Sequence, residues 1–312
     1  MRPARHPRRL RAGAALAAMA AAALAPAALP APPAPPTGPG ARACPIFPAT
    51  NVWNRPVSSL PVAPGSAELI RAIGLDAPLH PDFSNQGRYG IPYTVVGAGV
   101  PRSRVRFDYA DESDRAPYPI PPHPGIEGGS DRHLLIVDRS DCKLYELYAA
   151  RRAGGRWTAG SGAVWRLTSN RLRPDGWTSA DAAGLPILPG LARHDEVAAG
   201  AIRHALRFTA PRTARAHLFP ARHDAGESAA GLPPMGLRVR LRASVDISRF
   251  GPQARVVLRA LRTYGMILAD NGSPWYVTGA PSAGWDDDDL HGLGRITGAD
   301  FEVVDTRRLH NG

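Results

Sequence analysis

The sequence predicts a mainly β fold, an antiparallel β-sandwich or jelly-roll-like domain with helical insertions. Two observations predict it: several short runs alternate apolar and polar residues with period two, and long Gly/Pro-rich excursions separate them. Few stretches carry helical periodicity. An α+β layer arrangement is the alternative.

Residues 1–28 read as a signal peptide. Arg2, Arg5, Arg8, Arg9 and Arg11 precede an apolar stretch from Ala12 to Leu24, and small residues and proline follow around Ala25-Pro26-Ala27-Ala28. The stretch is too short and alanine-rich for a membrane span of about 20 strongly apolar residues. Residues 29–43 are Pro/Ala-rich and are expected to form an extended linker. A single secreted domain is expected over 44–312, with secreted or periplasmic localisation.

Along that domain, Pro64-Gly65-Ser66 opens a helix over Ala67 to Ile73, capped by Ser66 and stopped by Gly74. Strands are expected at Pro92 to Val96 and Arg104 to Tyr109. The proline-rich loop Ala116 to Gly129 is long enough to suggest a functional loop or lid. Arg132 to Val137 and Lys143 to Ala149 form a hairpin around Asp138-Arg139-Ser140-Asp141, with Gly160 to Leu167 beside it. From Leu237 to Ala243, Leu237, Val239 and Leu241 oppose Arg238, Arg240 and Arg242, so one face is buried and the other solvated. Pro252 to Tyr264 is an amphipathic helix stopped by Gly265. Met266 to Ala269 and Trp275 to Thr278 flank the turn Asp270-Asn271-Gly272 as a second hairpin.

The formal charge is +11, but five of the arginines lie in the leader. Lysine occurs once, at Lys143, and abundant Arg, Ala and Pro reflect coding bias rather than selection for nucleic acid. No nucleic-acid motif accompanies them. Cys44 and Cys142 are the only cysteines and are expected to pair in an oxidising compartment.

Candidate chemistry concentrates near the first hairpin. By strand parity Asp131, His133 and Glu146 share one face, and a turn centred on Arg139-Ser140 would set His133 opposite Glu146. With Glu127 from the preceding loop they are candidate proton-transfer groups; a solvated cross-strand His–Glu pair is the bland alternative. Asp181 is a further catalytic candidate, in an irregular segment where Ser179 suits a helix N-cap. Trp177, Arg173 and Asn170 in the same region, with Trp275 and Tyr148, are candidate substrate-binding residues. Asp195-Glu196 and His204 are expected to be structural, and the run Asp286 to Asp289 to open a helix. No cofactor motif is present. A divalent metal would have to use Asp131, His133 and Glu146, without a specific motif.

Asn51-Val52-Trp53-Asn54-Arg55-Pro56, the Trp177 to Gly190 segment, Arg203 to Thr209 and Ala269 to Trp275 carry a resemblance. From Cys44 onward the chain resembles a group of exported bacterial proteins of unassigned activity. The resemblance implies one secreted domain and brings no catalytic residues with it.

Export, a β-rich frame, six tryptophans and loop carboxylates suit an extracellular polysaccharide or cell-wall glycan as partner. The expectation is a carbohydrate-active enzyme, either a glycoside hydrolase using two carboxyl groups or a polysaccharide lyase using His133 with Tyr145 or Tyr148. The alternatives are a non-catalytic glycan-binding protein and a metal-dependent extracellular enzyme. No nucleic-acid partner and no membrane span after leader removal are expected.

Overall fold

The computed structural model describes residue 1 and residues 37–38, 41–87 and 89–310. The expected signal peptide (1–28, beyond its first residue) and most of the expected linker lie outside these. A short ribbon pairs Thr37–Gly38 with Ala41–Pro45, running from the span read as linker into the start of the expected domain.

The fold is mainly β with helical insertions. Its two principal sheets are mixed, so the purely antiparallel expectation gives way. The four-stranded sheet runs in the order Ser161–Arg166, Lys143–Tyr148, Leu134–Asp138, Tyr93–Val96, with the last pair parallel. The six-stranded sheet runs Phe301–Val303, Arg238–Leu241, Met266–Asn271, Leu206–Ala210, Tyr276–Thr278, His80–Asp82. A three-stranded sheet of Val105–Phe107, Arg156–Ala159 and Arg151–Ala153 completes the frame.

The four-stranded sheet is covered on both faces, which is why Leu134–Asp138 is an unbroken buried run rather than an alternating one. Leu135, Val137, Leu144 and Trp165 join the main core, shared with Phe208, Leu268 and Val277 of the six-stranded sheet. Leu134, Ile136, Tyr145 and Leu147 join a second core, closed by Tyr118 and Ile120 from the proline-rich loop. That loop is therefore packed down over its apolar residues. Pro252–Thr263 is the expected amphipathic helix, ending at Tyr264 before Gly265, whose φ is 67°.

Four local expectations need correction. Leu135 pairs with Glu146, not His133 with Glu146, because the hairpin loop takes four residues. Asp138 Oδ1 accepts from the Ser140 backbone at 3.0 Å, and Cys142 closes the loop at φ 48°. The second hairpin does not form. Leu206–Ala210 lies between its two strands, parallel to Met266–Asn271 and antiparallel to Tyr276–Thr278. Ser66 does not cap its helix but accepts from Val303 N at 2.8 Å. Arg238 is buried rather than solvated, donating to Tyr264 O at 2.7 Å and Val52 O at 3.2 Å. Burial pushes its guanidinium down to about 9.

The run after Asp286 does open a helix, Asp287–His291, with Asp286 accepting from the Asp289 backbone. Cys44 and Cys142 form a disulfide with Cα atoms 5.4 Å apart. Among the described residues no helix is long and apolar enough to cross a membrane.

Candidate active site

A cavity of about 430 Å³ is bordered by the four-stranded sheet, the 178–182 segment and the end of Met266–Asn271. Two side chains of the four-stranded sheet, and His133 just before its strand Leu134–Asp138, hold the irregular 178–188 segment in place. His133 Nε2 meets Ala180 O at 2.9 Å. Ser161 Oγ donates to Ser179 O at 2.5 Å. Glu146 accepts from Ile187 N and Leu188 N, and from the Trp165 indole at 3.2 Å. A chain segment without regular structure must satisfy its backbone groups elsewhere, and here the sheet supplies the partners.

His133 Nδ1 lies 2.5 Å from Glu127 Oε2. Burial, the largest influence on the imidazole, disfavours its charge, but the hydrogen bond and charge of Glu127 outweigh it and raise the pKa. With acceptors on both nitrogens, the ring is held as an imidazolium that donates twice. It is a clamp in this state, and its nitrogens are not free to take a proton. Tyr148 packs against it with ring centroids 5.8 Å apart and lines the cavity. Tyr145 points to the other face of the sheet, where its hydroxyl accepts from Arg102 at 2.8 Å.

The floor of the cavity holds a charge triad in which Arg207 and Asp181 are buried and Asp270 is half-buried. Arg207 NH2 lies 3.4 Å from Asp181 Oδ2 and 3.7 Å from Asp270 Oδ2, and NH1 donates to Thr278 Oγ1 at 3.0 Å. Two carboxylates against one guanidinium leave an excess negative charge away from water, so protonating one of them is favoured. Burial pushes Asp181 up to about 7 despite Arg207, with Asp270 adding to the rise. Asp270 is raised for the same first reason, burial. The Asp181 side chain is 0% exposed and Asp270 28%, so Asp270 is the member that reaches the open cavity.

Local sequence explains how each arrives there. Asp181 Oδ1 accepts from Ala183 N and Leu185 N, both at 3.1 Å, in a loop turned by Gly184 at φ 66°. A Cβ on Gly184 would lie 2.5 Å from Trp177 O. Asp270 depends on a bulge: Phe208 pairs with Leu268 but Thr209 pairs with Asp270, skipping Ala269. Opposed residues share a face, so the skip moves Asp270 to the side of Thr209 and Arg207.

The sequence-predicted residues divide accordingly. Asp131, His133, Asp181 and Tyr148 border the cavity, Asp131 at its exposed rim. Glu127 acts on it through His133. Glu146 does not border it: the side chain is fully buried and saturated by three donors, and burial raises its pKa. The trio Asp131, His133 and Glu146 therefore does not converge as a ligand set. Among the described residues no His/Cys/Asp/Glu group is arranged to hold a metal ion.

Arg173 and Trp177 line a neighbouring cavity instead. Asn170 bridges to Asn51 and Thr50, away from both. Trp275 is a core residue rather than a binding residue. Its rings stack on Phe208 and Phe301, and its indole donates to Gly74 O at 2.7 Å. Glu196 pairs with Arg193 and His204, a buried structural network as expected. Arg207 and Asp270 are the functional candidates that pattern reading missed. Arg207 sits at a position whose alternation with Leu206 and Phe208 resembles a solvated face.

No protein-family profile, curated protein or solved structure matches this chain.

Proposed function

We propose that this chain is an exported carbohydrate-active enzyme, with the Asp181–Asp270 pair moving a proton during cleavage of a glycosidic bond. One observation carries the reading: a buried carboxyl group, Asp181, and a half-buried one, Asp270, share one arginine nitrogen at a cavity, and Asp181 is pushed up to about 7. A carboxyl group that keeps its proton near neutral pH is what a general acid needs. Asp270, reaching the cavity, meets the glycosidic oxygen. Asp181, behind it on the same arginine nitrogen, leaves Asp270 only a share of that guanidinium, which favours keeping a proton on the pair. Asp131 at the rim is the second carboxyl group available to substrate or water.

The cavity border also includes Tyr109 and Tyr148, flat surfaces of the kind that pack on sugar rings. His133 serves as an electrostatic and positional support for Ala180 rather than as a lyase base, which favours hydrolysis over elimination.

The test is a panel of extracellular polysaccharides, assayed for new reducing ends and for unsaturated products. The expected result is reducing-end release by the wild-type protein and a loss of about 100-fold or more in Asp270→Asn, with saccharide binding retained. Binding without turnover in the wild-type protein would replace this reading with that of a glycan-binding protein.

A further inference from the structure

A second cavity, of about 410 Å³, lies next to the first and has the opposite charge character. Lys143, Arg166, Arg171 and Arg173 line it, against a single carboxylate, Asp114. Arg173 neutralises that carboxylate at 2.5 Å. Among the described residues Lys143 forms an ion pair only with Asp141, at 3.5 Å on the surface, and Arg166 and Arg171 reach no carboxylate. Three cationic side chains thus face one concavity with little internal compensation. Trp165 and Trp177 share its wall, and the Arg173 guanidinium lies over both rings, at 5.7 Å and 5.4 Å.

Arg173 is also the partition between the two cavities. Its Nε donates to Thr178 O at 2.8 Å, and NH2 donates to Glu112 O at 2.6 Å. Thr178 and Glu112 border the first cavity. The two cavities thus adjoin across this one side chain.

We infer that the second cavity is a subsite for the anionic group, carboxylate or sulfate, of an acidic polysaccharide. The inference rests on the glycan reading above and adds its substrate class. Basic forks and a lysine supply charge-assisted donors, and the half-buried Trp177 ring supplies an apolar surface for the sugar face. A neutral glycan would leave the three cations without partners, and a nucleic acid would find no row of exposed aromatic rings to stack its bases.

Lys143 is the only lysine in the chain, which gives the site its own reporter. Reductive 13C-dimethylation of the intact protein places one side-chain NMR signal at this cavity. Titration would use hexagalacturonate, a sulfated galactan hexasaccharide, neutral cellohexaose and a hexathymidylate. The expected result is a saturable shift with one of the two acidic saccharides and none with cellohexaose. Which acidic saccharide saturates identifies carboxylate or sulfate as the recognised group. Arg166→Ala and Arg171→Ala should each weaken that binding about tenfold, the loss typical of one charge-assisted contact.

No shift with either acidic saccharide, or an equal response to hexathymidylate, would overturn the inference. The readout does not need turnover. Binding at Lys143 in a protein that cleaves nothing would defeat the catalytic reading alone, and cleavage of neutral glycan without a Lys143 shift would defeat the subsite alone.

Discussion

His133 shows how strongly a buried residue depends on its partners. Both ring nitrogens are engaged, and the Glu127 carboxylate holds the imidazole pKa above its ordinary value. A raised folded-state value means the stabilisation is full below the unfolded pKa and is lost as pH rises through the folded one. His133→Ala should destabilise the protein by about 3 kcal/mol at neutral pH in denaturant melts, since it strands a largely buried carboxylate. Asp181 has the same pH direction by a different route, burial rather than a charged partner. Its value rises from 3.8 unfolded to about 7 folded, so folding binds a proton and stability declines as pH climbs between those values. Melts of Asp181→Asn across that window should show a flatter dependence than wild type; an unchanged slope would contradict the assignment. His133 was legible as a candidate through strand parity with Asp131 and Glu146, and Asp181 as an acid in an irregular, glycine-flanked segment. Their roles were not, because hydrogen-bond partners 47 and 26 residues away leave no local trace.

Hairpin parity was readable from the two-residue period of a strand, and it places His133, Leu135, Leu144 and Glu146 on one face. Register was not, because the number of loop residues depends on the Asp138–Ser140 contact and on Cys142 taking a positive φ. A slip of two residues keeps every side chain on its face yet moves Glu146 one pair deeper, from a candidate catalytic position to an anchor for Ile187 and Leu188. Glu146→Ala leaves three buried donors unpaired and should cost about 3 kcal/mol or more. Limited proteolysis should then cut within 178–188 faster than in wild type; equal rates would show that the segment is held by something else. The bulge at Thr209 and Asp270 was equally invisible, since Asp270-Asn271-Gly272 carries good turn chemistry and reads first as a hairpin. Insertion of another strand between two neighbours in sequence is a tertiary event, decided by what Leu206–Ala210 buries.

At the scale of the molecule, the Cys44–Cys142 bridge ties the start of the domain to the loop that sets the hairpin register. The enclosed loop spans 98 positions, and closing one of about that length stabilises by ~4–5 kcal/mol in the chain-entropy model. A Cys44→Ser/Cys142→Ser double variant should therefore melt at markedly lower denaturant, with a steeper slope because the unlinked denatured chain exposes more surface. The mainly β frame was legible from strand-length runs and turn residues. The mixed sheets were not, because parallel neighbours such as Leu206–Ala210 and Met266–Asn271 are far apart in sequence. That pairing, together with the sheet-anchored 178–188 segment, assembles the two aspartates around Arg207. The most direct test of the account is a 13C-NMR titration of the aspartate carboxyl groups in the intact protein, with Asp181→Asn and Asp270→Asn used for assignment. The predicted result is a carboxyl titrating near 7 that disappears in Asp181→Asn and shifts in Asp270→Asn. Both carboxyls titrating in the ordinary range near 3.8, independently of each other, would contradict it.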